Sequence, residues 1–280
     1  MCTKKFNLIK SNHMTHLLFF IWLLIFNSPA FFVYASDVEP EILNNGEDIT
    51  RPIKRFDLRL KYQTGVNSIQ GKATVFTART DQVYTFLSEW QLGLRIDLPY
   101  EWYTCPQSSQ QQCNKSLNDM GDSLFQILAG SPAYDRWTYG FGVKFIFPTA
   151  GNHLQIGQGK YQVLPTVALK YDLNEWSAGS YTGFIFRHAF DIAGYKSAPY
   201  ISQTYIQPTI NINLNERWFV NSSPEMIYNW RTKAWFIPFD LMVGWMPTKK
   251  IVLSLEYENA IVYDYPKYAQ QIEFRIGYFY

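Results

Sequence analysis

The chain has 280 residues, a length that suits one large domain or two ordinary ones. Aromatic residues make up 18% and charged residues only 17%, below the roughly 25% charge of soluble domains, while 47% hydrophobic content excludes a disordered chain. Sixteen glycines without a period exclude collagen, three cysteines exclude a small disulfide scaffold, and a net charge of +2 carries no basic block that would suggest a nucleic-acid partner.

Residues 1–35 read as a secretory signal peptide. Lys4, Lys5 and Lys10 precede the apolar run Leu17 to Phe26, and Val33-Tyr34-Ala35 supplies small residues at a cleavage site. That run is too short for a bilayer, which needs about 20 residues; an uncleaved anchor over Leu17 to Val33 is the alternative. Cys2 precedes the run, so it is not a lipoprotein cysteine. Cleavage removes the three lysines and no acid, which takes the net charge from +2 to −1. Residues 36–53 (SDVEPEILNNGEDITRPI) are polar and acidic, expected as a short periplasmic segment or folded back into a lumen.

From residue 54 onward the hydrophobic period is two. Phe56, Leu58, Leu60 and Tyr62 alternate with Asp57, Arg59, Lys61 and Gln63; Trp137 to Phe147 and Gln271 to Tyr280 alternate in the same way. No apolar run of 18 residues follows residue 35, which excludes transmembrane helices. Strands are predicted at 54–63, 73–86, 90–99, 122–130, 137–147, 161–173, 179–191, 201–214, 217–231, 234–246, 250–261 and 270–280. Soluble strands usually run 5–6 residues. These are longer, and rings gather at their ends, as at Trp90, Tyr100, Trp137, Phe147, Trp218, Trp230, Trp235 and Trp245. Both features fit a lipid-facing band between aromatic girdles. Odd-numbered connections are longer than even-numbered ones except at 232–233, as outer loops are longer than periplasmic turns. The fold expected is all-β: a transmembrane antiparallel barrel of 12 strands, with 10 or 14 as alternatives, over residues 54–280.

Register follows from cost. A one-residue slip would turn Asp57, Arg59 and Lys61 toward lipid, where a Lys or Arg at midplane costs about 2–4 kcal/mol. The lumen is therefore expected to hold Arg59, Lys61, Arg95, Lys144, Lys170, Arg231 and Arg275, against Asp57, Asp97, Asp172, Glu225, Asp240, Glu256, Glu258 and Glu273. These charges either pair across the barrel or line a path for a solute.

Cys105 and Cys113 fall in the longest connection, where an oxidising periplasm favours a bridge. The alternatives are two free thiols or a metal site, but His153 and His188 have no partners at ligand spacing. No G-x-S-x-G context marks a nucleophile, so neither a catalytic site nor a cofactor is expected.

Met120-Gly121-Asp122, Ser131-Pro132-Ala133, Trp137 to Gly142, Phe147-Pro148-Thr149-Ala150, Ile156 to Tyr161, Pro165, Gln207-Pro208, Asn215 to Trp218 and Ser222-Ser223-Pro224 occur in a familiar order. The stretch from about residue 70 to 280 resembles the outer-membrane proteins grouped as "MetA-pathway of phenol degradation". It departs at Met120, in an added hairpin at 54–79 and in the Cys105–Cys113 loop. The resemblance implies a Gram-negative outer-membrane barrel that passes small aromatic or apolar molecules. Ile272, Phe274, Ile276, Tyr278 and Tyr280 also resemble the carboxyl-terminal signal read by the barrel-assembly machinery. Lipid, that machinery and a small solute are the partners expected. A surface-interaction barrel and a barrel hydrolase, the latter using His188, are the competing functions.

Overall fold

A strand presents alternate side chains to opposite faces, so a two-residue period must separate two environments. Here the environments are inverted. In the last strand, Gln270–Phe279, the buried residues include Gln271, Glu273 and Arg275, and the exposed ones are Gln270, Ile272, Phe274, Ile276 and Tyr278. Arg275 is 1% exposed, whereas Phe274 is 47% exposed. Polar side chains occupy the inside and apolar ones cover the outside, as a barrel in lipid requires.

The computed structural model describes residues 45–66, 71–87, 89–105, 116–151 and 156–280. The expected signal peptide, residues 36–44 and Cys113 lie outside these. Among the described residues there are fourteen strand segments: β1 Arg55–Val66, β2 Gly71–Phe86, β3 Trp90–Thr104, β4 Ser116–Met120, β5 Ser123–Gly130, β6 Trp137–Phe147, β7 Lys160–Asp172, β8 Tyr181–Gly194, β9 Ser202–Asn213, β10 Trp218–Ser222, β11 Met226–Asn229, β12 Ala234–Thr248, β13 Ile251–Tyr263 and β14 Gln270–Phe279. All pairings are antiparallel, and β1 closes on β14 from Arg55–Phe279 to Thr64–Gln270.

Two barrel strands are each broken in the middle. β4 and β5 both pair with β3, and β10 and β11 both pair with β9 and β12. Fourteen segments therefore make a closed barrel of twelve strands. The second break falls at Ser223-Pro224-Glu225, where proline has no N–H for a ladder. At the first break, Asp122 accepts the backbone N–H of Gln158 at 2.7 Å, and Thr149 Oγ1 donates to the Gly121 carbonyl at 2.6 Å. The motif stretches around Gly121-Asp122, Thr149 and Gly157-Gln158 thus converge into one clasp at the barrel rim.

One end of the barrel holds residue 54 and Tyr280, here the terminal end; the other is the distal end. Part of the expected 64–72 loop is strand: β1 and β2 run on to Val66 and Gly71 through a bulge at Gly65, whose φ is +64°. β3 likewise continues to Thr104. An apolar cluster packs near each end. Val66, Ala73, Tyr103, Cys105, Ile227, Phe236 and Tyr268 pack at the distal end. Phe219, Met242, Met246, Val252 and Phe279 pack at the terminal end, with Ile53 against them. The charges lie between.

Candidate functional site

A charge placed on an inward position of a narrow barrel is costly unless it is paired. The β1–β14 wall meets that demand with a continuous network. Arg59 bonds Glu273 at 2.9 Å and Asp57 at 3.1 Å; Lys61 lies 3.2 Å from Glu273; Arg275 lies 3.1 Å from Asp57. Across β2 and β3, Arg79 grips Asp97 through two bonds of 2.7 Å, and Asp81 accepts from Arg55 at 2.5 Å and Arg95 at 2.7 Å.

Residues 45–53 complete this network from inside the barrel. Their described part lies in the lumen, not below it. Glu47 pairs with Arg275, and Asp48 accepts from Lys170 at 2.7 Å. Lys170 also meets Asp172 at 3.0 Å, and Arg51 lies 3.5 Å from Asp172. Asn45 donates to Asn211 of β9 at 2.8 Å, while Arg55 donates to the Gly46 carbonyl at 2.5 Å. Asp48 also caps the turn, accepting from the Thr50 amide at 2.8 Å and hydroxyl at 2.7 Å. These contacts reach β1, β7, β9 and β14, so the segment crosses the lumen.

Room for it comes from glycine. A Cβ at Gly130 would run into the Thr50 carbonyl oxygen, and one at Gly93 would stand 2.9 Å from the Pro52 ring. Burial alone would raise the Glu47 carboxyl, but the guanidiniums of Arg275, Arg59 and Arg55 outweigh it and hold the group below its ordinary value of 4.5.

The remaining predicted residues divide by wall. Asp240, Glu256 and Glu258 gather on β12 and β13 with oxygens within 4.8 Å of one another. Asp240 accepts from the Ser223 amide at 2.5 Å, and Glu258 from Tyr268 and Gln271. Glu225, in the strand break, pairs with Lys267 at 2.9 Å and lies 3.8 Å from Arg187. Lys144 faces the lumen from β6 with no ion pair among the described residues. Arg231 is a correction: β11 ends at Asn229, which leaves Arg231 exposed in the distal turn and outside the lumen lining. Ile272, Phe274, Ile276, Tyr278 and Tyr280 are 44–50% exposed on the outer face. Cys105 is buried at the distal end beside Tyr103.

Sequence reading missed Arg55, Arg79, Asp81 and Arg187, all inward, because Thr80, Ala78 and His188 make a weak outer pattern. The signal present was spacing: Arg79 and Asp81 stand two apart, facing Asp97 and Arg95 in register. His188 lies on the outer face, where its Nδ1 is 3.0 Å from Thr204 Oγ1, and Trp230 Nε1 donates to the same oxygen at 2.9 Å.

No family model matches the chain, and no curated protein matches it; the phenol-degradation group is therefore not shown as its family. Among solved structures, an outer membrane channel from Pseudomonas putida F1 superposes with a TM-score of 0.68 at 13% identity, over 82% of this chain and 97% of that one. The NanC porin superposes with a TM-score of 0.55 at 13% identity, over 80% and 99%. Both likenesses show the fold: a barrel of the outer-membrane type.

Proposed function

We propose that this chain, whose fold is that of outer-membrane barrels, is an outer-membrane channel for a small solute, held shut by residues 45–53. The observation that carries the reading is the segment itself. A purely structural barrel could satisfy its lumen with wall residues alone, whereas this one shares Arg275 and Lys170 between the wall acids Asp57 and Asp172 and the acids Glu47 and Asp48 of a segment outside the strands. The arrangement suits a lumen with two states.

The exposed apolar face fits lipid, and the longer distal connections fit the cell exterior, with the terminal end in the periplasm after export by residues 1–35. An aromatic or apolar solute is the class implied by the resemblance to the phenol-degradation group. A hydrolase is not favoured, since His188 is engaged with Thr204 on the outer wall.

Planar-bilayer recording of residues 36–280 and of 54–280 tests the reading. The longer protein should give rare, small steps, and the shorter one frequent, salt-dependent steps. Equal silence from both, with each folded, would overturn it.

A further inference from the structure

We infer that the lumen holds an anion site distal to the docked segment, built from Lys144 of β6 and Arg187 of β8, which takes the carboxylate of a small molecule with an apolar body. The inference rests on the channel reading and names its class of solute.

Most cations facing the mid-lumen have a matched acid. Arg79 holds Asp97 and Arg95 holds Asp81, and from the distal connection Lys267 holds Glu225 at 2.9 Å. Lys144 has no hydrogen bond or ion pair among the described residues, and the charges that act on it are Arg187, Glu225, Asp97 and Arg95. Arg187 is 5% exposed; it donates to Gln207 at 3.0 Å and stands 3.8 Å from Glu225, while its Nε has no hydrogen-bond partner. Gln126, directly opposite Lys144, is also buried, with its Oε1 unpaired.

Register places the two cations together. Lys144 pairs with Leu164 of β7, and Arg187 with Thr166, two residues along the same strand. Neighbouring strands lie about 4.8 Å apart, so two long side chains can converge across β7 on one ligand. The two cations repel each other and share one nearby acid, Glu225, 3.8 Å from Arg187, so a bound carboxylate would add the second countercharge. What surrounds them sets the rest of the ligand. Leu164 and Ala189 are buried together with Ile201, and Ile146 and Tyr205 pack against them. A bare inorganic anion would engage only the cations. Gly140, where an added Cβ would meet Thr50 of the docked segment at 3.5 Å, lies four residues from Lys144 toward the terminal end, about 13 Å along the strand. A solute arriving from the distal side would meet this site before the plug.

Calorimetric titration of the detergent-solubilised 36–280 protein with benzoate, benzyl alcohol and inorganic phosphate tests the site. Benzoate should bind at least about tenfold more tightly than either control, and Lys144→Met should weaken it by a similar factor. Lys144→Arg should retain it. Thermal unfolding of Lys144→Met should change little, because Lys144 makes no hydrogen bond or ion pair among the described residues. Equal binding of benzoate and benzyl alcohol, or benzoate binding indifferent to Lys144→Met, would overturn the site; phosphate binding as tight as benzoate would overturn the apolar body. Binding is read without transport. Lys144-dependent benzoate binding by a barrel that never conducts would overturn the channel and leave the site standing.

Discussion

Glu47 meets Arg275 where burial and charge oppose each other, and charge prevails. A hydrogen bond to a charged group contributes about 1.5–3 kcal/mol, so Glu47→Gln should raise open probability roughly tenfold to a hundredfold in bilayer recordings. The pH dependence has a definite sign. The docked Glu47 carboxyl titrates below its free value of 4.5, so its contribution to docking is complete above that pH. It fades as pH falls through the lowered docked value. Conductance should therefore stay low from neutral pH down to about 4.5 and rise only under stronger acid; opening near pH 6 would assign the latch to another group. Gly130 offers a test by shape instead of charge. Gly130→Ala sets a methyl against the Thr50 carbonyl, so it should open the channel at every pH while β5 still pairs with β6. An unchanged trace would mean that the segment has another seat.

Among the elements, β14 reads most directly from sequence, because Ile272, Phe274, Ile276 and Tyr278 alternate cleanly with Gln271, Glu273 and Arg275. An arginine on its lipid face costs about 2–4 kcal/mol at midplane. Phe274→Arg should accordingly lower the urea midpoint of the barrel in vesicles and reduce assembly of exported protein, whereas Tyr62→Phe should do neither. The same logic made most of the lumen charges legible, since only one register keeps Arg59 and Lys61 out of lipid. It failed where alternation is not the organising force. In β2, Arg79 and Asp81 sit among threonines and alanine, so polar and apolar faces differ little. At Ser223-Pro224-Glu225 a strand that looked continuous is interrupted, and proline was the available sign. The docking of 45–53 was left open by the sequence, for a short polar segment shows no period. Its trace lies in the walls, at Gly93, Gly130 and Gly140, and only the fold reveals what those gaps admit.

For the whole molecule, matched charges lie at mid-height of the lumen and an apolar cluster packs on the wall near each end. Cys105 belongs to the distal cluster, and its bridge to Cys113 remains a proposal. If it forms, alkylation of the unfolded, unreduced mature protein should leave both thiols unmodified, and prior reduction should expose both. Labelling without reduction would remove the bridge.

Only Lys54 separates the docked segment from the first residue of β1. A blocker that diffuses freely can be diluted away, whereas a plug formed by this segment would be leashed to the wall. Short tethers impose local concentrations on the order of millimolar, whatever the surroundings. On the proposed channel reading, each opening would be a race between escape of the cargo and recapture of the leash, so passage would come in brief bursts with no standing hole in the barrier.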